Sequence, residues 1–136
     1  MTGKEIIAKV KVLKLPAQSF IVFGSCPLSV VGIREANDID LLVSAEVFQS
    51  LESAGWQQVD KGPDDKPLVF EDFEAHPNWD FSTYNPTLPE LLSRAMVVDG
   101  IPFASIEDVR QWKAASGRPK DIVDIERIDA YLAAQH

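Results

Sequence analysis

Apolar positions along the chain change period several times, and each change marks an element. Ile6, Ile7, Val10 and Leu13 recur at helical spacing, with Lys4, Lys9, Lys11 and Lys14 on other faces, which predicts a helix over 3–15. Lys9-Val10-Lys11-Val12 also alternates as a strand would, and Pro16 ends the segment. Residues 18–23 close on a continuous apolar run that predicts a short buried strand, followed at once by Gly24-Ser25. A short helix or turn-rich segment is expected over 26–33. Residues 38–44 alternate strictly. Ile39, Leu41 and Val43 face one side of a strand, and Asp38, Asp40 and Leu42 face the other.

Beyond this strand the pattern turns helical over 45–54 and closes at Gly55, a residue suited to a left-handed cap. Residues 56–60 read as a strand, and the polar run 61–66, with Gly62-Pro63, reads as a loop. Two further strands are expected at 67–73 and 79–84, joined by a loop holding Ala75-His76-Pro77-Asn78. Thr87 and Glu90 make a capping box for a helix over 87–95. An extended piece at 96–98 runs into a turn at Asp99-Gly100. Ser105 and Asp108 open another helix that stops at Gly117, and Pro119 sits in the first turn of a final helix reaching about residue 134. Helices and strands in this order predict a single α/β or α+β domain over 1–136, with a mixed sheet flanked by helices.

Composition narrows the function classes. With 46% hydrophobic and 25% charged residues the chain can bury a core, which excludes general disorder. A single cysteine excludes an intrachain disulfide framework and a cysteine zinc cluster. The two histidines, His76 and His136, do not suggest a His-rich metal site. No apolar run is long enough for a transmembrane helix and the first residues lack a signal-peptide pattern, so the expected location is the cytoplasm, without membrane association. The net charge of −8 is unevenly spread, at +4 over residues 1–34, −11 over 35–90 and −1 over 91–136. An acidic middle repels a phosphate backbone but suits a divalent cation, although it also serves as a solvated surface.

Within that acidic middle lies the chemistry-bearing pattern: Gly24-Ser25, twelve residues, then Asp38-Ile39-Asp40. Glycine after a buried strand permits a tight turn or a close approach. Ser25 offers a hydroxyl and a backbone N–H at the mouth of a helix, where an anion is favoured. Asp38 and Asp40, two apart on a strand, share one face. Their repulsion calls for a counter-charge, and Mg²⁺ typically takes one or two carboxylates plus substrate phosphates. Gly-Ser alone is a common turn and Asp-x-Asp alone a common surface pair; the combination points to a site.

Phe23-Gly24-Ser25 followed by Asp38-Ile39-Asp40-Leu41-Leu42-Val43 resembles the signature of the nucleotidyltransferase superfamily that includes DNA polymerase β, in particular its small bacterial members, some from toxin–antitoxin and phage-defence systems. The stretch from Glu107 to Asp124 is similar to the C-terminal part of such proteins. The resemblance implies a nucleotidyltransferase-like fold and a third carboxylate on a neighbouring strand. Asp80, which alternates with Trp79 and Phe81, is the candidate, with Glu71 and Asp72 as alternatives. Asp38, Asp40 and Asp80 would then hold Mg²⁺, and two ions about 3.5–4 Å apart would bridge a nucleoside triphosphate and an acceptor hydroxyl. Asp80 would assist deprotonation of the acceptor, which could be a small molecule, RNA or protein. Gly24 and Ser25 would contact the triphosphate, and Lys113, Arg118 and Lys120 could steer it.

Other readings remain open. Lys113 can equally lie along a helix face, and Asp121 and Asp124 complement the dipole of the last helix. Cys26 and the three tryptophans Trp56, Trp79 and Trp112 read as core residues, and His76 as a solvated turn residue. The enzyme reading stands beside a non-catalytic relative that keeps the fold, and beside a toxin–antitoxin component acting through a protein partner. A carboxylate cluster plugged by a basic side chain would favour the non-catalytic relative.

Overall fold

A computed structural model describes residues 1–135, and His136 lies outside them. The elements, in chain order, are α1 (Gly3–Leu13), β1 (Phe20–Phe23), α2 (Cys26–Val30), β2 (Ile39–Val43), α3 (Ala45–Ser53), β3 (Gln57–Gln58), β4 (Leu68–Phe70), β5 (Phe73–His76), α4 (Leu88–Ser93), β6 (Met96–Val98), β7 (Ile101–Phe103), α5 (Ile106–Ser116) and α6 (Pro119–Ala134). The strands form one mixed sheet in the order β3-β4-β5-β2-β1-β7-β6. At its centre β1 is antiparallel to β2 and parallel to β7, while β2 is parallel to β5.

Alternation along the central strands sorts their side chains onto two faces, and helices cover both. Ile39, Leu41 and Val43 of β2 pack with Ile6 and Val10 of α1 and with Val47 and Leu51 of α3. Ile21, Phe23 and Leu42 pack on the opposite face with Leu91 of α4 and with Val109 and Trp112 of α5; Ile128 of α6 joins the same cluster. All four residues of β1 are buried, as expected of a strand covered on both sides. Each such large apolar side chain contributes roughly 1.5–3 kcal/mol by leaving water. No helix among the described residues is long and apolar enough to cross a membrane.

The fold class and most helices match the sequence expectations, and the capping box of Thr87 and Glu90 forms as anticipated. Three strand assignments need correction. The apolar run expected as one strand over 67–73 is a hairpin: Glu71, at φ 51°, and Asp72 turn the chain between β4 and β5. The segment around His76, expected as a loop, is therefore the end of β5. Residues 79–84 form no strand; Phe81 and Tyr84 only bridge across a tight turn with Ser82 at φ 52°. Finally, β7, following the Asp99-Gly100 turn, is inserted beside β1. Such pairings are made between distant segments, so local periodicity does not show them.

Candidate active site

The site forms where the C-terminal end of β1 meets the N-terminal end of β2. Their antiparallel register sets Phe23 opposite Asp40, so the Gly24 turn falls beside the Asp40 side chain. Gly24 has a φ of 63°, and a Cβ on it would lie 2.9 Å from Asp40 Cγ and closer still to Oδ2. Glycine is required there on both counts. On the other side of β2, the parallel register places Glu74 of β5 directly beside Asp40. His76, two residues on, shares the face of Glu74. Its Nε2 lies 3.4 Å from Asp40 Oδ1 and 3.6 Å from Glu74 Oε1. Ligand atoms of Asp40, Glu74 and His76 all fall within 4.8 Å of one another.

These groups open into a cleft of about 870 Å³. Asp38 also lines it, and burial together with the negative charges of Asp40 and Glu74 raises its carboxyl above the ordinary range. Lys61 partly answers that charge: its Nζ bonds Glu74 Oε1 at 2.7 Å, and this bond raises its own pKa. The cleft wall is aromatic. Trp79 stacks on Phe23 with centroids 4.6 Å apart and meets Trp112 edge-on at 5.1 Å. Cys26, beneath the site, donates to the Asp38 carbonyl at 3.2 Å, and burial pushes its thiol up to about 12, so it is a core residue and not a nucleophile.

The sequence candidates fall into distinct places. Asp38, Asp40 and Ser25 line the cleft, as do Arg118 and Lys120. Asp80 lines it too but is exposed and lies outside the Asp40–Glu74–His76 cluster, because its segment is a turn and not a sheet strand. Of the alternatives, Glu71 is an exposed turn residue and Asp72 pairs with Lys9 at 2.5 Å. Gly24 is buried below the cleft, against Asp40. Lys113 requires correction as a triphosphate-steering residue: it is 2% exposed, bonded to Asp121 at 3.3 Å and Asp124 at 3.0 Å. Those two aspartates also bind Arg118 and Arg34 respectively, and Arg34 donates to Ser25 Oγ at 2.7 Å.

Sequence reading missed Glu74 and His76. The signal was present in the Phe73–His76 alternation, where Phe73 and Ala75 are buried while Glu74 and His76 point to the other face. It was masked by treating 67–73 as a single strand.

The donor set fits a divalent cation: Asp40 and Glu74 present carboxylates on neighbouring strands beside the His76 imidazole, while Asp38, exposed just before β2, lines the same cleft outside that cluster.

No family model matches the chain, and no curated protein matches it significantly in sequence. Its structure is similar to that of ANT(2'')-Ia, an aminoglycoside nucleotidyltransferase of the nucleotidyltransferase superfamily. The crystal structure of ANT(2'')-Ia in complex with adenylyl-2''-tobramycin aligns with a TM-score of 0.54 and 18% identity, over 96% of this chain and 87% of that one. The solution structure of the same antibiotic-resistance factor aligns with a TM-score of 0.53 and 19% identity, over 97% of this chain and 83% of that one. The chain thus shares the α+β fold of ANT(2'')-Ia and brings Asp40, Glu74 and His76 together where β2 pairs with β5.

Proposed function

We propose that the protein transfers a nucleoside monophosphate from a nucleoside triphosphate to an acceptor hydroxyl in a reaction that depends on a divalent cation. The observation that carries this reading is the register of Asp40 beside Glu74 on parallel strands, with Asp38 on the same cleft and Gly24 making room for the Asp40 carboxylate. Asp40 and Glu74 would hold the cation, with Asp38 beside them on the same cleft; Glu74 takes the place that sequence reading gave to Asp80. When bound, such a cation, with Mg²⁺ the reference case, neutralises phosphate oxygens and the charge that develops on attacking and leaving oxygens.

The chain's own groups supply the rest. Arg118 and Lys120 lie on the cleft wall, where their charges favour a triphosphate. Ser25, its hydroxyl held by Arg34, lines the cleft beside them. Asp80 lines the cleft and is exposed, so it would be available to an acceptor. In the reaction the acceptor oxygen bonds to the α-phosphorus, the bond from that phosphorus to the bridging oxygen of the β-phosphate breaks, and pyrophosphate leaves. A carboxylate at the site, or water, takes the hydroxyl proton.

A second reading, a non-catalytic protein that keeps the fold and acts through a protein partner, as in a toxin–antitoxin pair, is favoured by the Lys61–Glu74 bond, which places an ammonium in the carboxylate cluster. The Lys61 side chain is 42% exposed, however, and lies in the loop between β3 and β4, so it is free to leave when a cation arrives. Calorimetric titration of the four nucleoside triphosphates with Mg²⁺ or Mn²⁺ separates the readings. We expect one or more to bind wild type at sub-millimolar concentration and Asp40→Asn to lose that binding while remaining folded. Wild type that binds none at millimolar concentration would favour the non-catalytic reading.

A further inference from the structure

Two carboxylates with substrate phosphates would suffice for Mg²⁺, yet this cluster also contains an imidazole. His76 Nε2 lies 3.4 Å from Asp40 Oδ1 and 3.6 Å from Glu74 Oε1. Donors that share one cation at about 2.0–2.2 Å each are about 3–4.4 Å apart. The three residues are held by paired strands rather than loops, since β2 and β5 are hydrogen-bonded in parallel register through Asp40–Glu74 and Leu42–His76. The ring is braced edge-on against Trp79, with centroids 4.9 Å apart, and Trp79 is itself stacked on Phe23. Ligation through Nε2 requires only the neutral ring with its proton on Nδ1.

Imidazole nitrogen is a poor donor for Mg²⁺, which prefers oxygen and keeps its waters, but a good one for first-row transition dications. A mixed set of two carboxylates and one imidazole therefore shifts selectivity away from Mg²⁺. Resting on the metal-dependent reading above, we propose that His76 is a direct metal ligand beside Asp40 and Glu74, and that the site selects a transition-metal dication of the Mn²⁺ class over Mg²⁺. The Lys61 ammonium on Glu74 is then the counter-charge that the incoming cation displaces. The competing arrangement keeps His76 protonated on Nε2, donating a hydrogen bond to Asp40 and ligating nothing.

The test uses the metal-stripped full chain, titrated calorimetrically with Mn²⁺ and with Mg²⁺, as wild type, His76→Gln and Glu74→Gln. Wild type is expected to bind Mn²⁺ about tenfold or more tighter than Mg²⁺, and His76→Gln to bring the two within about threefold by weakening Mn²⁺ alone, the scale seen when metal-site partners are removed. Glu74→Gln should weaken both cations. In the Co²⁺-loaded wild type, the His76 ring protons should show strong hyperfine shifts by NMR, a readout that needs no variant and stands if His76→Gln fails to fold. A wild-type protein with no Mn²⁺ preference, or one whose preference survives in His76→Gln, or unshifted ring protons in a Co²⁺ complex, would overturn the inference and leave the metal-dependent reading intact. Absence of any divalent binding to wild type would instead remove that reading, and this inference with it.

Discussion

A side chain at position 24 would have to adopt a left-handed backbone and occupy space taken by the Asp40 carboxylate. For Gly24→Ala we expect a loss of stability of about 1–2 kcal/mol from the backbone alone, with a further loss of cation binding because Asp40 must move. Ser25→Ala removes a hydroxyl that accepts one bond from Arg34. It should cost about 0.5–1.5 kcal/mol and leave cation affinity within about threefold of wild type, since no cation ligand is displaced. Urea unfolding and metal titration on both variants check the contrast; equal metal binding by both would show the glycine to be a turn residue only. Asp40→Asn lifts repulsion among Asp38, Asp40 and Glu74, the same repulsion that, after burial, raises the Asp38 carboxyl. Its stability should therefore equal or slightly exceed wild type. An unfolded Asp40→Asn would mark Asp40 as a structural partner of His76.

At the scale of one element, the N-terminus of α5 is tied down by a single buried carboxylate. Asp108 accepts bonds from Ser105 Oγ, from Tyr84 Oη and from Arg94, all at 2.9–3.0 Å. Burial alone would raise its pKa, but the bonds from Arg94, Ser105 and Tyr84 outweigh burial and hold it below the ordinary value of 3.8. Burial and the bond to Asp108 push the Tyr84 phenol upward, so it stays a neutral donor. A carboxylate lowered on folding stabilises the fold fully above its ordinary pKa, and that contribution disappears as pH falls through the lower, folded value. Thermal midpoints should thus drop below about pH 5 and drop less steeply in Asp108→Asn. Asp108→Ala, which strands the Tyr84 hydroxyl, should cost about 3 kcal/mol at pH 7. Chemical denaturation at pH 7 and pH 3.5 measures both; an unchanged acid slope in Asp108→Asn would contradict the assignment.

Across the whole molecule, a chain of ion pairs joins the cleft to the last two helices. It runs from Ser25 through Arg34 and Asp124 to Lys113, then Asp121 and Arg118. Lys113 sits 4.6 Å above the Trp112 ring, so charge and aromatic packing support one another. Both aspartates would be raised by burial, but are instead held low, Asp121 chiefly by its bond from Arg118 and Asp124 chiefly by its bond from Arg34, with Lys113 supporting both. Lys113→Met keeps the stem and removes the charge, leaving two buried carboxylates under-compensated. We expect a loss of about 3 kcal/mol at neutral pH that narrows as the pH falls below the ordinary carboxylate value of 3.8 toward the lower folded values, where the charges that Lys113 answers are removed. Comparison of wild type and variant in urea at pH 7 and pH 3.5 checks the narrowing; a gap that stays constant would locate the cost in packing.

Local periodicity determined much of this protein. The apolar run of β1, the alternation of β2, the capping of α4 and α5, and the Asp99-Gly100 turn are all set by residues within a few positions of one another. The Gly24-Ser25 and Asp38-x-Asp40 pattern was legible for the same reason, because each half is a local feature. Tertiary structure alone decided the partner of Asp40. Glu74 and His76 lie over thirty positions away and meet Asp40 only because β5 pairs with β2 in a parallel register, which no short window encodes. It also decided that Lys113 turns inward, since Asp121, Asp124 and the Trp112 face are assembled by the packing of α5 on α6. A lone charged residue reads as solvated until the fold supplies the opposite charges that make its burial tolerable.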